Sequence, residues 1–178
     1  AALERAREGH GAYTLEATTE PMLIRRQVEE VRRAGGVLTV LCRSVSAEME
    51  RELWPVRIPV DRGLTGYRVL LVREADRARF EAARTLEDLR RFVYGVEEWS
   101  FEDDILKANG FRVMSGSEYE GLFRMLTNGR FDAFSRPAGA VRTEYEARRK
   151  GMPGVVIERS LMLHYPMPLY FWFAKTAE

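Results

Sequence analysis

Catalysis needs side chains that share protons, electrons or metal ions at short range, so the first question is whether such groups stand together here. The two histidines, His10 and His164, lie near opposite ends of the 178-residue chain with no paired ligand beside them, whereas metal sites draw on clustered His, Cys and carboxylates. The single cysteine, Cys42, closes an apolar run with no histidine partner evident, and reads as a small buried hydrophobe rather than a nucleophile. Gly63-Leu64-Thr65-Gly66 is too short for a phosphate-cradling loop and has no lysine. The carboxylates Glu97, Glu98, Glu102, Asp103 and Asp104 straddle a predicted helix start, where the helix dipole favours them without any acid–base role. The expectation is a protein that is not an enzyme, with no catalytic residue, no metal and no cofactor.

Composition narrows the partners. The chain carries 28 Lys+Arg against 27 Asp+Glu, a formal charge of +1. A nucleic-acid binder shows a clustered basic excess, so no nucleic acid is expected. No apolar run approaches the ~18 residues of a membrane span, and Ala1 to Gly11 is too charged for a secretion signal; no direct membrane insertion is expected. One cysteine excludes a disulfide framework within the chain. What remains are arginines, serines and tyrosines, which matter only if the fold gathers them.

The elements that would do so follow from periodicity. Tyr13 to Thr18 alternates like a strand, and Met22 to Ala34 repeats apolar residues at three and four before Gly35-Gly36, a helix and its stop. Val37 to Cys42 is a continuous apolar run, which suits a strand buried on both faces of a parallel sheet. Ser46 caps a predicted helix from Ala47 to Trp54, which Pro55 ends. Val56–Val60 and Tyr67–Val72 are extended around the Gly63–Gly66 loop. Three capping boxes, Thr85 with Asp88, Ser100 with Asp103 and Ser117 with Glu120, predict helix starts. Short strands are predicted at Phe92–Val96, Phe111–Met114 and Phe131–Phe134, then a helix from Ala140 to Lys150. An extended, aromatic tail runs from Val155 to Phe173, broken at Pro166 and Pro168. The pattern is two α/β units, roughly 1–64 and 67–158, joined by extended segments.

Five phrases then fall in a telling order: PVRIPVDRGLTGYRVLLV at 55–72, TLEDL at 85–89, YEGLF at 119–123, GRFDAF at 129–134 and YPMPLYF at 165–171. Together they resemble the type II periplasmic solute-binding proteins, in the amino-acid-type branch of ABC-transporter substrate-binding domains. The likeness is to a subgroup with an RIP-x-D/K-GL-x-GYR crossing and a YP-x-P-x-Y return, and it covers nearly the whole chain. The resemblance implies an α/β, two-lobe periplasmic-binding-protein type II fold with two hinge crossovers. Lobe 1 would comprise 1–64 plus 160–178 and lobe 2 would be 65–159. Against the family pattern the chain looks clipped at both ends, with its first strand absent and the first lobe incomplete. The resemblance further implies a monomer, a periplasmic or extracytoplasmic location, a small-molecule solute as ligand and an ABC-transporter permease as partner.

In open α/β sheets ligands sit beyond the carboxyl ends of the strands, where helix N-termini present free N–H groups. That rule selects Arg43 and Ser44, Trp99 and Ser100, and Ser135 and Arg136, with Tyr67, Tyr119 and Tyr165 as walls offering a flat apolar face and one polar handle. The residues expected to bind ligand are Arg43, Ser44, Tyr67, Trp99, Ser100, Arg136 and Tyr165. Ser100 also serves as a helix cap; Arg136, between Ser135 and Pro137, has little evident structural work. Family members hold the amino-acid carboxylate with an arginine where this chain has Met49, and the ammonium with an acid where it has Pro137. A charge-assisted hydrogen bond is worth roughly 1.5–3 kcal/mol, so standard amino acids are not expected to bind tightly. Arg43 or Arg136 would supply a replacement cation, which suits an anionic ligand. The competing expectation is a sensor or scaffold domain of the same fold that has lost ligand binding and acts through protein partners.

Overall fold

The computed structural model describes residues 2–20, 22–33, 35–98 and 100–175. Nine strands are present among them: β1 Leu41–Ser44, β2 Leu53–Val56, β3 Tyr67–Arg73, β4 Val93–Glu97, β5 Arg112–Gly116, β6 Ala133–Pro137, β7 Val155–Ile157, β8 Leu163–His164 and β9 Leu169–Ala174. The helices are α1 Ala2–His10, α2 Ile24–Arg32, α3 Ala47–Glu52, α4 Arg77–Glu81, α5 Leu86–Arg90, α6 Phe101–Ala108, α7 Tyr119–Thr127 and α8 Val141–Arg148. The strands sort into two sheets, one of three strands ordered β1-β9-β2 and one of six ordered β5-β4-β6-β3-β7 with β8 also on β3.

The six-stranded sheet is mixed. β5, β4 and β6 run parallel, while β3 is antiparallel to β6, β7 and β8. Both faces are covered. One carries Leu70, Val72, Phe80, Phe92, Tyr94 and Leu106; the other carries Leu71, Leu122, Phe123, Phe131, Phe134 and Val155. Gly95 is required in the middle of β4, because a Cβ there would sit 2.1 Å from the Phe131 ring. The α5 capping box is complete, with Thr85 accepting from the Asp88 N–H and Asp88 returning the bond, and Gly110 ends α6 in the left-handed conformation at φ 77°.

The three-stranded sheet is antiparallel throughout and buries one face. Val31 of α2, Met49 of α3, Leu41, Leu53 and Trp172 form its core, with Phe101 from the first turn of α6 packed against them. The other face is bare: the register places Cys42 opposite Phe171, Val56 opposite Phe171 and Trp54 opposite Phe173, so these side chains share a side, and all are exposed.

The chain passes between the sheets twice. Residues 57–66 lead from β2 to β3, and residues 165–168 lead from β8 to β9. Asp61 shapes the first crossing by accepting from the N–H groups of Gly63 and Thr65 at 3.0 and 2.6 Å. The crossings touch where Tyr165 N donates to Gly66 O at 3.2 Å, and a Cβ on Gly66 would lie 2.3 Å from the Tyr165 carbonyl oxygen. This approach explains the glycine.

Several sequence expectations need correction. Tyr13–Thr18 is exposed, irregular chain, its alternation having found no neighbouring strand to pair with. The run Val37–Cys42 is not a doubly buried parallel strand. Only Leu41–Ser44 pairs, antiparallel and at a sheet edge, leaving Val37 and Cys42 exposed. The α3 helix stops at Glu52 and Trp54 joins a strand, because the residue before Pro55 is pushed out of helical conformation. Ser117 and Glu120 form no capping box; α7 starts one residue later, after Glu118, with no side-chain cap.

Candidate functional site

Because β5, β4 and β6 are parallel, their carboxyl ends lie along one edge of the six-stranded sheet, at Gly116, Glu97 and Pro137. β3 runs the other way, so its first residues, Tyr67 and Arg68, reach the same edge, and β8 brings His164 and then Tyr165 beside them. Four expected site residues, Tyr67, Ser100, Arg136 and Tyr165, are therefore placed at this edge. Arg43 and Ser44 end β1 in the other sheet, where Val45 N donates to Pro168 O of the second crossing at 3.3 Å. Trp99 lies outside the described residues.

The polar centre of the edge is a cluster whose charged pair, Arg68 and Glu102, sequence reading did not single out. Arg68, 3% exposed, donates from Nη2 to Glu102 Oε2 at 2.5 Å and from Nε to Glu102 Oε1 at 3.2 Å. It also donates to Ser135 Oγ and the Ser135 carbonyl at 3.1 and 3.0 Å. Tyr165 donates its hydroxyl to Glu102, and burial together with the Glu102 charge pushes that phenol well above its usual range. The cluster binds the base of β3, the end of β6, the first turn of α6 and the start of the second crossing into one assembly. The strand-end rule had selected Ser135 and Tyr165, and the GYR phrase holds Arg68, but nothing in the sequence names its partner Glu102 34 residues on.

Arg136 has more structural work than its sequence context suggested. Its Nε and Nη2 donate to the two Glu144 oxygens at 2.6 and 2.7 Å, and Nη2 reaches the Tyr119 hydroxyl at 3.1 Å. The guanidinium lies 4.9 Å from both the Tyr119 and Phe134 ring centroids, a cation–π arrangement. Burial alone would lift the Glu144 carboxyl, but the Arg136 hydrogen bond and charge carry it below the usual range. Burial, with the hydrogen bond and charge of Glu144 adding to it, pushes the Tyr119 phenol up to about 12. Ser100 caps α6 by accepting from the Asp103 N–H at 3.4 Å, and Tyr67 packs tilted against His164 with centroids 4.3 Å apart.

Arg43 differs from both buried arginines. Its Nε and Nη2 donate to Gln27 Oε1 at 3.3 and 3.0 Å, and Gln27 is itself fixed by donating to Met22 O at 2.8 Å. Among the described residues Arg43 makes no ion pair, so its charge is oriented by a neutral amide. Ser44 beside it is 5% exposed. Met49 is buried in the core of the three-stranded sheet. Cys42 does not resemble an activated nucleophile: partial burial of its sulfur and the nearby Asp61 carboxylate push the thiol up, which reduces the thiolate fraction. No group of metal-ligating side chains is found among the described residues, and no helix there is long and apolar enough to cross a membrane.

No protein-family model matches the sequence, and a search of curated proteins found no match. Solved structures do match in shape. An ancestral arginine-binding protein bound to arginine superposes with a TM-score of 0.65 at 17% identity, covering 98% of this chain and 73% of its own. The amino acid ABC transporter substrate-binding protein AbpA from Streptococcus pneumoniae, bound to L-arginine, gives 0.67 at 18%, covering 89% and 63%. The ancestral amino-acid-binding protein AncCDT-1, a precursor of cyclohexadienyl dehydratase, gives 0.62 at 15%, covering 88% and 62%. The chain has the type II periplasmic-binding-protein fold. It spans between 62% and 73% of the length of the three structures named above.

Proposed function

We propose that this chain is a non-catalytic solute-binding domain that captures a small anionic molecule between its two sheets, in service of ABC-type uptake outside the inner membrane. In this reading, lobe 1 (1–64 with 160–178) and lobe 2 (65–159) close on the solute by bending at the two crossings. Arg43, Ser44, Tyr67, Ser100, Arg136 and Tyr165 line the site, and a permease is the partner. The fold neighbours support solute binding, since two of those named above are described as bound to arginine and the third as an ancestral amino-acid-binding protein.

The observation that carries the anionic preference is the contrast among three arginines. Arg68 and Arg136 are each neutralised by a carboxylate, Glu102 and Glu144, while Arg43 has only Gln27. A guanidinium matches a planar carboxylate or a phosphate with two parallel N–H bonds, so Arg43 is the cation on offer. Thermal-shift screening followed by calorimetry, with di- and tricarboxylates, phosphorylated sugars and the standard amino acids, tests this reading. An anion binding at about micromolar or tighter, weakened about tenfold or more in Arg43→Ala, is expected. A zwitterionic amino acid binding below about micromolar while every anion fails would overturn it.

A further inference from the structure

A groove of the molecule lies away from the edge just described. It occupies about 880 Å³ between α8 and the outer strand β7. Its apolar floor is formed by Val69, Val141, Tyr145 and Ile157. The charges around it are unequal. Glu146 is held by Arg149 at 3.0 Å, and Arg77 by Glu74 and Glu81 at 3.4 and 2.8 Å. Glu158 is 1% exposed and turned to the backbone N–H groups of Ser160 and Leu161, at 2.8 Å each. Arg142 and Arg159, both exposed, make no ion pair among the described residues. The rim therefore presents two cations that nothing on this surface neutralises.

The sheet edge adds a third property. Glu158 N donates to Leu70 O and Glu74 N to Gly154 O, which fixes the hydrogen-bonded positions of the β3–β7 ladder. Alternation along an antiparallel pair then turns the N–H and C=O of Ile157 away from β3, and β7 is the last strand on that side. Exposed edges of this kind accept an added extended strand, whose backbone supplies affinity while side chains supply selectivity.

We propose that this groove docks a short extended segment of a partner protein in which acidic residues alternate with apolar ones. Apolar side chains settle on the Tyr145–Ile157 floor, the backbone meets Ile157, and carboxylates pair with Arg142 and Arg159. Charge complementarity selects this occupant: a basic segment would face two uncompensated guanidinium groups, and a neutral one would leave them unpaired. The site is independent of solute capture between the sheets.

Fluorescence anisotropy with a labelled Gly-Glu-Leu-Glu-Leu-Glu-Gly peptide tests it, alongside the same peptide with glutamine for glutamate. Saturable binding of the glutamate peptide is expected, weakened about tenfold or more by the glutamine exchange and further by raised salt. Arg142→Glu with Arg159→Glu, at exposed positions that leave the melting temperature unchanged, should abolish it and transfer binding to a lysine version of the peptide. Equal binding of the glutamate and glutamine peptides, an unaffected double variant, or no saturation by about 1 mM would each overturn the proposal.

Discussion

The two sheets solve the same packing problem unequally. The six-stranded sheet is covered on both faces by apolar clusters and keeps its charged groups, Arg68 and Glu102, in a closed hydrogen-bonded assembly. The three-stranded sheet buries one face around Trp172 and leaves Trp54, Phe171 and Phe173 at 65%, 43% and 42% exposure on the other. Stability therefore concentrates in the larger sheet, and the smaller one is the part whose opening costs less. Of the three arginines compared, Arg43, without a carboxylate, stands on the smaller sheet, so the cation proposed for the solute lies on the less fortified side.

Substitution within β9 exposes the contrast most sharply. Trp172→Ala should cost about 3–5 kcal/mol in urea unfolding, since the residue is fully buried. On the larger sheet, Glu102→Ala should cost a similar ~3–5 kcal/mol because Arg68 is left buried without its partner. Tyr165→Phe, which removes one hydrogen bond to the same carboxylate, should cost about 1 kcal/mol. Phe171→Thr and Trp54→Arg, one position along from buried neighbours, should stay within about 0.5 kcal/mol if the outer face is as bare as it stands. A large loss at Phe171 would mean that this face is covered in solution.

Acid sharpens the same comparison. The folded Glu144 carboxyl is held below its ordinary value, so the unfolded chain binds its proton first and the contribution is complete only above the unfolded value of about 4.3. That stabilisation is lost as pH falls through the lower, folded value. Glu144→Gln should flatten the decline of melting temperature between about pH 5 and pH 3 relative to the native chain.

The elements of the larger sheet were legible because each carried its own local signal. Thr85 with Asp88 marked a helix start, Phe92–Val96 and Phe131–Phe134 short strands, and Tyr67–Val72 an extended segment. The two crossings were legible from the GLTGYR and YPMP phrases. The smaller sheet was not. Val37–Leu41 has strand composition, yet pairing depends on a partner strand that local sequence does not specify, and only Leu41 onward meets β9. The structural role of Arg136 was hidden for the same reason, since its partner Glu144 belongs to the next helix, and Glu102 was not singled out because three carboxylates in a helix's first turn look alike until one of them is buried.

The central claim is capture of an anion between the sheets, and backbone amide NMR titration with the tightest-binding anion of the screening panel tests it most directly. Shifts gathered at Arg43–Val45 on one sheet and at Ser100, Ser135 and Arg136 on the other, with both sets lost in Arg43→Ala, are expected. Shifts confined to one sheet, or no response to any anion of the panel, would contradict it.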